Sequence, residues 1–277
     1  MMKIHSFILM GLLAFASIGH CALLDHIHYS RVDKKIAYPL LSKIPLHGNE
    51  KILEIGLDDG TIALALAMKV PQGQVVGIVP SYSRFKRAND LKYKIGSKNC
   101  EFVQENPEDF SLNKKFDIAI VLNVMPWIAD QKKALLNIAD HLTPDGKIYI
   151  VMASKKGNPY FDQAIDQAIK RHKEDFANYK NPLHLSDLNA AKKFLMDSGF
   201  HVDKIRYELL EERFGSQQEL VNWLQGWVPE YHFLREGTDY SFLLRVVDYY
   251  LAEEKVANFS QIHWDEKFIV VEASKVI

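Results

Sequence analysis

The sequence predicts an α/β fold whose core is a mostly parallel sheet of seven strands with helices on both faces. Five short apolar runs lie within the first 153 residues, and helical segments separate most of them. Continuous apolar runs are typical of strands buried on both faces of a parallel sheet. Their alternation with helices indicates right-handed crossovers between parallel neighbours.

The elements follow one another in an order that one sheet can accommodate. The predicted strands lie at residues 51–55, 74–79, 100–104, 116–122, 147–153, 202–210 and 267–273. The predicted helices lie at about 25–41, 61–70, 82–94, 131–142, 160–176, 188–198 and 217–251. We therefore expect one domain at 23–277, with a turn at Pro144–Asp145–Gly146 and an antiparallel strand at 267–273.

The composition limits the classes of partner. The 277 residues carry a formal net charge of −1, with 48% hydrophobic and 25% charged residues. This is ordinary for a globular protein with a real core. No bulk field favours nucleic acid or an anionic membrane, so we predict a small-molecule substrate and no nucleic-acid partner. The sequence does not predict the oligomeric state.

Residues 1–22 have the pattern of a secretory signal peptide. A basic start at Lys3 is followed by an apolar run at 7–15 and by small residues, among them Ala14 and Ala16 in an A-x-A arrangement. The run is short for a membrane span, which needs about 20 apolar residues. We predict export and no stable membrane insertion after cleavage; an uncleaved N-terminal anchor is the alternative.

The chain has two cysteines, Cys21 and Cys100, and no Cys/His spacing typical of zinc. Cys100 falls in a predicted strand and is expected to be a buried apolar side chain. We predict no metal site.

The turn after the first strand is the predicted ligand position. Ligands of open α/β sheets bind outside the carboxyl ends of the strands. Gly56 and Gly60 flank this turn, and the next helix starts directly after it. Its backbone N–H groups suit the carboxylate of an amino-acid-like ligand. A nicotinamide site is disfavoured because G-x-G-x-x-G is absent; a plain tight turn is the alternative.

Five segments in register carry a resemblance to a known family. They are ILEIGLDDGT at 52–61, VGIVPS at 76–81, FVQENPEDF at 102–110, FDIAIV at 116–121 followed by Trp127, and LTPDGK at 142–147. In this order they resemble the motifs of class I S-adenosylmethionine (SAM)-dependent methyltransferases. The tail, with ELVNWL at 219–224, is similar to the trans-aconitate methyltransferase-like group.

The resemblance implies a Rossmann-like fold, SAM as cofactor and a helical substrate-cap insert at about 215–260 before the last strand. It places the cofactor against eight residues: Glu54, Gly56, Asp58, Gly60, Val79, Asn106, Pro107 and Asn123.

Three of these positions depart from the family pattern. Asp58 replaces the middle glycine of the first motif and brings a carboxylate towards that of the ligand. Val79 replaces the acidic residue that binds the ribose hydroxyls, and valine cannot accept a hydrogen bond. Such a loss costs roughly 1.5–3 kcal/mol. Asn106 replaces the acidic residue of the adenine-contacting turn but can still donate and accept hydrogen bonds.

The candidate substrate residues follow the fourth strand or lie in the later segments: Trp127, Tyr160, Arg213, Trp223 and Trp227. Arg213 can bind a carboxylate in bidentate fashion; the alternative is an ion pair with Glu211 or Glu212. Trp223 and Trp227 are four residues apart, so core packing on one helix face is their alternative.

We therefore expect a SAM-dependent methyltransferase of a small molecule, with O-methylation of a carboxylate as one candidate reaction. The alternative is an exported protein that keeps the methyltransferase fold, has lost efficient SAM binding and acts as a binding or interaction protein. No catalytic residue is predicted.

Overall fold

The computed structural model describes residues 35, 37–57, 59–234, 239–255 and 261–276. The predicted signal peptide at 1–22 and the side chain of Asp58 lie outside these residues, as does most of the helix expected at 25–41. Residues 37–41 are helical. No helix within the described ranges is both long and apolar enough to cross a membrane.

The strands are β1 Lys51–Gly56, β2 Gln74–Ile78, β3 Cys100–Val103, β4 Phe116–Leu122, β5 Leu142–Ala153, β6 Phe200–Phe214 and β7 Ile262–Lys275. The helices are α1 Thr61–Lys69, α2 Tyr82–Ile95, α3 Gln131–His141, α4 Pro159–Arg171, α5 Leu188–Met196, α6 Gln217–Gln225, α7 Pro229–Phe233 and α8 Asp239–Glu253. A short 3₁₀ helix covers Met125–Trp127.

The seven strands form one sheet in the order β3-β2-β1-β4-β5-β7-β6. The pairs among the first five strands are parallel, and β7 pairs with β5 in the antiparallel direction. Ile52, Leu53 and Ile55 of β1 have no solvent exposure, as expected for a strand covered on both faces. The predicted fold class is confirmed.

Several elements differ in extent from the prediction; α4 ends at Arg171 instead of residue 176, and β6 continues to Phe214 instead of ending at residue 210. Pro144–Asp145–Gly146 is not a separate turn; it lies inside β5, where the register against β4 shifts between Phe116 and Ile118. Strand β7 begins at Ile262, five residues earlier than expected. The helical run predicted at 217–251 is three helices in the described residues; Val228, the residue before Pro229, has an extended backbone, and Pro229 starts the next helix.

The chain divides into two compact units. The sheet unit comprises the described residues of 33–159, 180–213 and 263–277. The helical unit comprises those of 160–179 and 214–262. It includes the predicted insert and also residues 160–179, which the sequence pattern did not assign to it.

Aromatic rings form much of the interior of the helical unit. Phe176 packs against Phe233 and Phe242 with ring centroids 5.7 and 5.3 Å apart. Tyr179 packs against Phe233 at 5.0 Å. These contacts connect the segment after α4 to α7 and α8.

Candidate functional site

The order of strands reverses next to β1. The chain passes from β1 to β2 and β3 on one side and then returns to β4 on the other. Gly56 ends β1 opposite Leu122, which ends β4. In sheets of this type, ligands bind at the carboxyl edge where the order reverses, so the turn after Gly56 lies at the expected position.

Glu54 is a buried charged side chain at this edge, with a residue exposure of 1%. Its carboxylate lies beside two glycines. A Cβ atom on Gly56 would overlap Glu54 Oε1, and a Cβ on Gly77 would lie 3.5 Å from Oε2. The absence of a side chain at Gly56 therefore makes room for the Glu54 carboxylate.

At position 60, glycine is favoured both by the backbone conformation and by close neighbours. Its φ of 85° lies in the left-handed region, and it precedes the first residue of α1. A Cβ there would also lie 2.6 Å from the Ala88 Cβ and 2.7 Å from the Phe102 Cζ. The turn thus lets α1 start close to α2 and to the ring from β3.

The amino end of α1 already carries a carboxylate of this chain. The Thr61 N–H donates to Asp59 Oδ1 at 3.3 Å, and the Thr61 hydroxyl donates to the same oxygen. One of the N–H groups expected to face a ligand is therefore bonded internally. The remaining attraction of the helix end for an anion is shared with Asp59.

The ends of β2 and β3 lie beside this turn. Val79 follows β2, is 3% exposed, and its N–H donates to the Val103 carbonyl at 2.9 Å. At the position where the family pattern has an acidic residue, this edge of the sheet has the buried apolar side chain of Val79. Asn106 is exposed, and its carbonyl accepts from the N–H groups of Asp109 and Phe110 at 3.2 and 3.0 Å, which closes the turn after β3. Pro107 is buried in that turn.

Asn123 holds the ends of β4 and β5 together. Its φ of 52° is left-handed, and the residue is 6% exposed. Its N–H donates to the Val151 carbonyl at 2.7 Å, and its Oδ1 accepts from the Ala153 N–H at 3.1 Å. Asparagine is one of the few residues other than glycine that tolerates this backbone geometry, so Asn123 shapes the edge through its side chain and backbone.

The chemistry of these groups fits SAM in part. The Glu54 carboxylate offers a negative charge for a cationic ligand, and the Asn106 amide can donate and accept towards a purine. Val79 offers only apolar contact on the side where ribose hydroxyls need acceptors. The described residues contain no group of three or more His, Cys, Asp or Glu arranged to hold a metal ion.

Two of the predicted substrate residues belong to the sheet unit. Trp127 ends the 3₁₀ helix after β4 and is 38% exposed. Arg213 is exposed on β6, and within the described ranges no carboxylate lies within ion-pair distance of it. Glu212, the proposed alternative partner, instead pairs with Lys35 at 2.5 Å and is 2% exposed.

The other three belong to the helical unit. Tyr160 on α4 is 45% exposed. Trp223 is 2% exposed and lies 5.4 Å from the Phe214 ring and 5.1 Å from the Trp227 ring. Trp227 also contacts Phe161 at 5.5 Å. Core packing accounts for Trp223, and a substrate role for any of these residues stays a prediction.

The sequence analysis missed a group of carboxyls in the helical unit. Glu230 is 5% exposed, and the Tyr179 hydroxyl donates to its Oε1 at 2.8 Å. Burial raises the Glu230 pKa, and Asp162 and Asp166 raise it further, against the effect of the Tyr179 hydrogen bond. Asp162 is exposed on α4, but partial burial of its carboxyl and the charge of Asp166 raise its pKa to about 6. Asp162 and Asp166 are four residues apart on one helix, which places both carboxyls on the same helix face. This spacing is the sequence signal that could have revealed the group.

Comparison with known proteins gives a consistent family. Residues 53–148 match the family described as "Methyltransferase domain". The chain is 28% identical over 158 residues to malonyl-acyl-carrier protein O-methyltransferase of Bacillus anthracis, covering 56% of each protein. It is 21% identical over 222 residues to trans-aconitate 2-methyltransferase of Shigella flexneri serotype 5b, covering 79% of this chain and 84% of that enzyme. The chain spans between 56% and 66% of the length of four relatives to which it is 25–28% identical.

The fold agrees with these matches. The crystal structure of the YcgJ protein from Bacillus subtilis superimposes with a TM-score of 0.62 at 16% identity, covering 86% of this chain and 97% of that one. This likeness concerns the fold alone. Together with the family match, it confirms the resemblance to class I methyltransferases.

Proposed function

We propose that this chain, whose residues 53–148 match the methyltransferase domain family and whose sheet has the strand order given above, transfers the methyl group of SAM to a carboxylate of a small molecule. The observation that carries the proposal is the glycine turn of Gly56 and Gly60, which lies next to the reversal of strand order and leads into α1. A fold alone does not assign a reaction, so the argument depends on the residues at this edge.

When bound, SAM supplies an electrophilic methyl group on a positively charged sulfonium. Glu54 and the turn at 56–60 would hold its amino-acid part, and Asn106 with Pro107 would lie against its base. The Asp59 carboxylate at the start of α1 repels an anionic group there and attracts a cationic one. The cofactor's ammonium group is therefore expected to lie nearer to this turn than its carboxylate does.

A carboxylate acceptor fits a site for which the sequence predicts no catalytic residue. A carboxylate is already a nucleophile and needs no general base, whereas an O–H or N–H acceptor does. The task of the protein is then to align the acceptor with the methyl group and to exclude water. Both relatives described above carry names that refer to acids, malonyl and trans-aconitate. Their names support the acceptor class proposed for this chain.

Arg213 is the proposed partner of the acceptor carboxylate, because its guanidinium has no internal ion pair in the described part of the chain. Trp127 supplies exposed apolar surface after β4. Tyr160, Trp223 and Trp227 remain proposed substrate residues of the helical unit.

Titration calorimetry of the full chain with SAM and with S-adenosylhomocysteine tests the cofactor. We expect micromolar binding of both. A screen of small carboxylic acids for production of S-adenosylhomocysteine then tests the acceptor, with Arg213→Gln as the variant and Arg171→Gln as its control. The Arg213 variant should raise KM for the acid with little change in SAM affinity. Absence of heat at millimolar SAM would contradict the proposal.

Export remains a proposal based on residues 1–22 alone. The mature protein is expected to begin between Ser17 and Leu23. Intact-mass measurement of protein recovered from its host tests this; a chain that still begins at Met1 or Met2 and stays in the membrane would contradict it.

A further inference from the structure

The charge of the chain is unevenly distributed along the sequence. Residues 82–98, which cover α2 and the following turn, contain six Lys and Arg residues and one acid, Asp90. The whole chain has a net charge of −1, so the remaining residues are acidic on balance. A count over the whole chain hides this concentration of positive charge.

Large apolar side chains are exposed among these cations. Tyr93 is 88% exposed and Ile95 is 51% exposed at the end of α2. Met68 is 78% exposed at the end of α1. We call these side chains and the exposed lysines around them the basic-apolar patch: Met68, Lys69, Lys86, Tyr93, Lys94, Ile95 and Lys98.

The lysines of the patch are available to a partner. Across the described residues, Lys69, Lys86, Lys94 and Lys98 form no ion pair. Asp90 lies between Lys86 and Lys94 at a spacing of four residues on either side, without reaching either. Exposed positive charge next to exposed hydrocarbon is unusual on the surface of a protein that has no partner for it.

All members of the basic-apolar patch except Lys86, which lies in the first half of α2, are at the opposite edge of the sheet from the candidate site. The helices run against the strands: α1 ends before β2 starts, and α2 ends before β3 starts, where Val75 pairs with Cys100. Their last turns therefore lie at the amino edge of the sheet. Helix α2 has 14 residues and is about 21 Å long at 1.5 Å per residue. A partner on this edge leaves the carboxyl edge open to substrate.

We propose that the basic-apolar patch binds the surface of an anionic phospholipid membrane. Lysines near such a surface are attracted to the headgroups, and Tyr, Ile and Met side chains enter the interfacial region. A single-stranded nucleic acid would favour aromatic rings for stacking, and the aliphatic side chains of Ile95 and Met68 suit hydrocarbon better. A carrier protein that delivers a tethered substrate would have to dock near the carboxyl edge, not on the far one.

Vesicle flotation of the full chain tests the proposal. Vesicles of phosphatidylglycerol mixed with phosphatidylcholine are compared with vesicles of phosphatidylcholine alone. We expect stronger binding to the anionic vesicles and weaker binding as salt is raised. The apolar run at 7–15 is present in every variant, so differences between variants report the patch and not the N-terminal segment.

The charge variant is Lys86→Gln, Lys94→Gln and Lys98→Gln together. Each lysine near an anionic surface contributes about fivefold in binding, so the triple variant should lose on the order of 100-fold. Tyr93→Ser with Ile95→Ser should weaken binding to anionic vesicles while keeping the salt dependence.

The matched control replaces three exposed lysines elsewhere in the sheet unit, Lys132, Lys133 and Lys155, by glutamine. This control changes the net charge equally and should keep vesicle binding within about twofold, a limit well below the fivefold effect of one patch lysine. All substituted side chains are exposed, and thermal melts should show unchanged folding. Equal losses of vesicle binding in both triple variants would overturn the proposal. It would also be overturned if single-stranded RNA displaced the protein from the vesicles. A dimer that forms through this face and is lost in the patch variant would overturn it as well.

Discussion

The Glu54 carboxylate occupies the space that a side chain at position 56 would need. Gly56→Ala therefore forces the buried carboxylate out of its position at the ligand edge. We expect the free energy of unfolding to fall by about 1–3 kcal/mol, the usual cost of overpacking a core. SAM affinity should fall at least tenfold, which calorimetry measures.

Gly96→Ala is the control for this substitution. Gly96 has a φ of 69° and open space around its Cβ position, so alanine there adds backbone strain without a clash. It should cost about 1 kcal/mol of stability and leave SAM binding unchanged. If the two variants lose SAM affinity equally, the space at Gly56 has no specific role in the site.

Val79→Asp should strengthen SAM binding. An acid at the end of β2 restores the acceptor for ribose hydroxyls, and a charge-assisted hydrogen bond contributes roughly 1.5–3 kcal/mol, or one to two decades in Kd. Val79 is 3% exposed, so the same change should lower the melting temperature of the protein without ligand. Val79→Thr, of nearly the same shape, should show a smaller gain in calorimetry. No gain with Asp would mean that the ribose is held elsewhere.

Tyr179→Phe removes the hydroxyl that donates to Glu230. A buried carboxylate that loses a hydrogen bond costs about 1–3 kcal/mol, so the free energy of unfolding should fall by that amount. Tyr160→Phe, at a 45% exposed tyrosine of the same unit, is the control and should be nearly neutral. In the background of Glu230→Gln, the effect of Tyr179→Phe should shrink, since the acceptor is no longer charged. Additive losses would contradict a direct link between the two side chains.

Asp162 makes the stability of the helical unit depend on pH. The Asp162 side chain is exposed at the surface of α4, so the effect on stability is modest; partial burial against the surrounding protein first, and the charge of Asp166 second, raise its pKa from 3.8 to about 6. The folded state thus binds this proton more tightly than the unfolded state, so the stabilisation is complete below about pH 4 and is lost as pH rises through about 6. Asp162→Asn mimics the protonated form; it should stabilise the protein at pH 7.5 and have little effect at pH 4. Chemical denaturation at the two pH values measures the difference.

The Asp166→Asn variant separates the two causes of the Asp162 shift. Removing the like charge should lower the pKa of Asp162 towards its ordinary value but not reach it, because burial remains. Carboxyl chemical shifts followed through a pH titration report the change. A pKa of Asp162 that does not move would show that Asp166 has no part in it.

The pattern of apolar runs was sufficient to predict the sheet, because strands covered on both faces admit few polar residues. Element ends were less predictable. Residues 262–265 alternate apolar and polar side chains, and they extend β7 beyond its register with β5, which covers only Phe268–Ser274. Pro229 and the extended residue before it break the long helical run, and this proline was visible in the sequence.

The position of the site at the carboxyl edge of the sheet was predictable, but the hydrogen bonds and backbone geometry within it were not. The motif order located Gly56, Gly60 and Val79 at one edge because parallel strands share their carboxyl ends. No sequence pattern shows that the Asp59 carboxylate bonds to the start of α1, or that Asn123 adopts a left-handed backbone. These depend on side-chain and backbone geometry that neighbouring strands impose.

The position of β7 between β5 and β6 has a consequence for the chain as it leaves the ribosome. Residues 200–214 emerge before residues 262–275, yet β7 is the only neighbour of β6 within the described sheet. Until β7 is synthesised, a 12-residue and a 15-residue strand-forming segment have no partner on that side. Unpaired edges of this length are templates for aggregation, and pairing over such a long sequence separation is slow. The nascent protein therefore passes through a stage in which β6 has no strand beside it and one side of β5 is open to pairing with another chain.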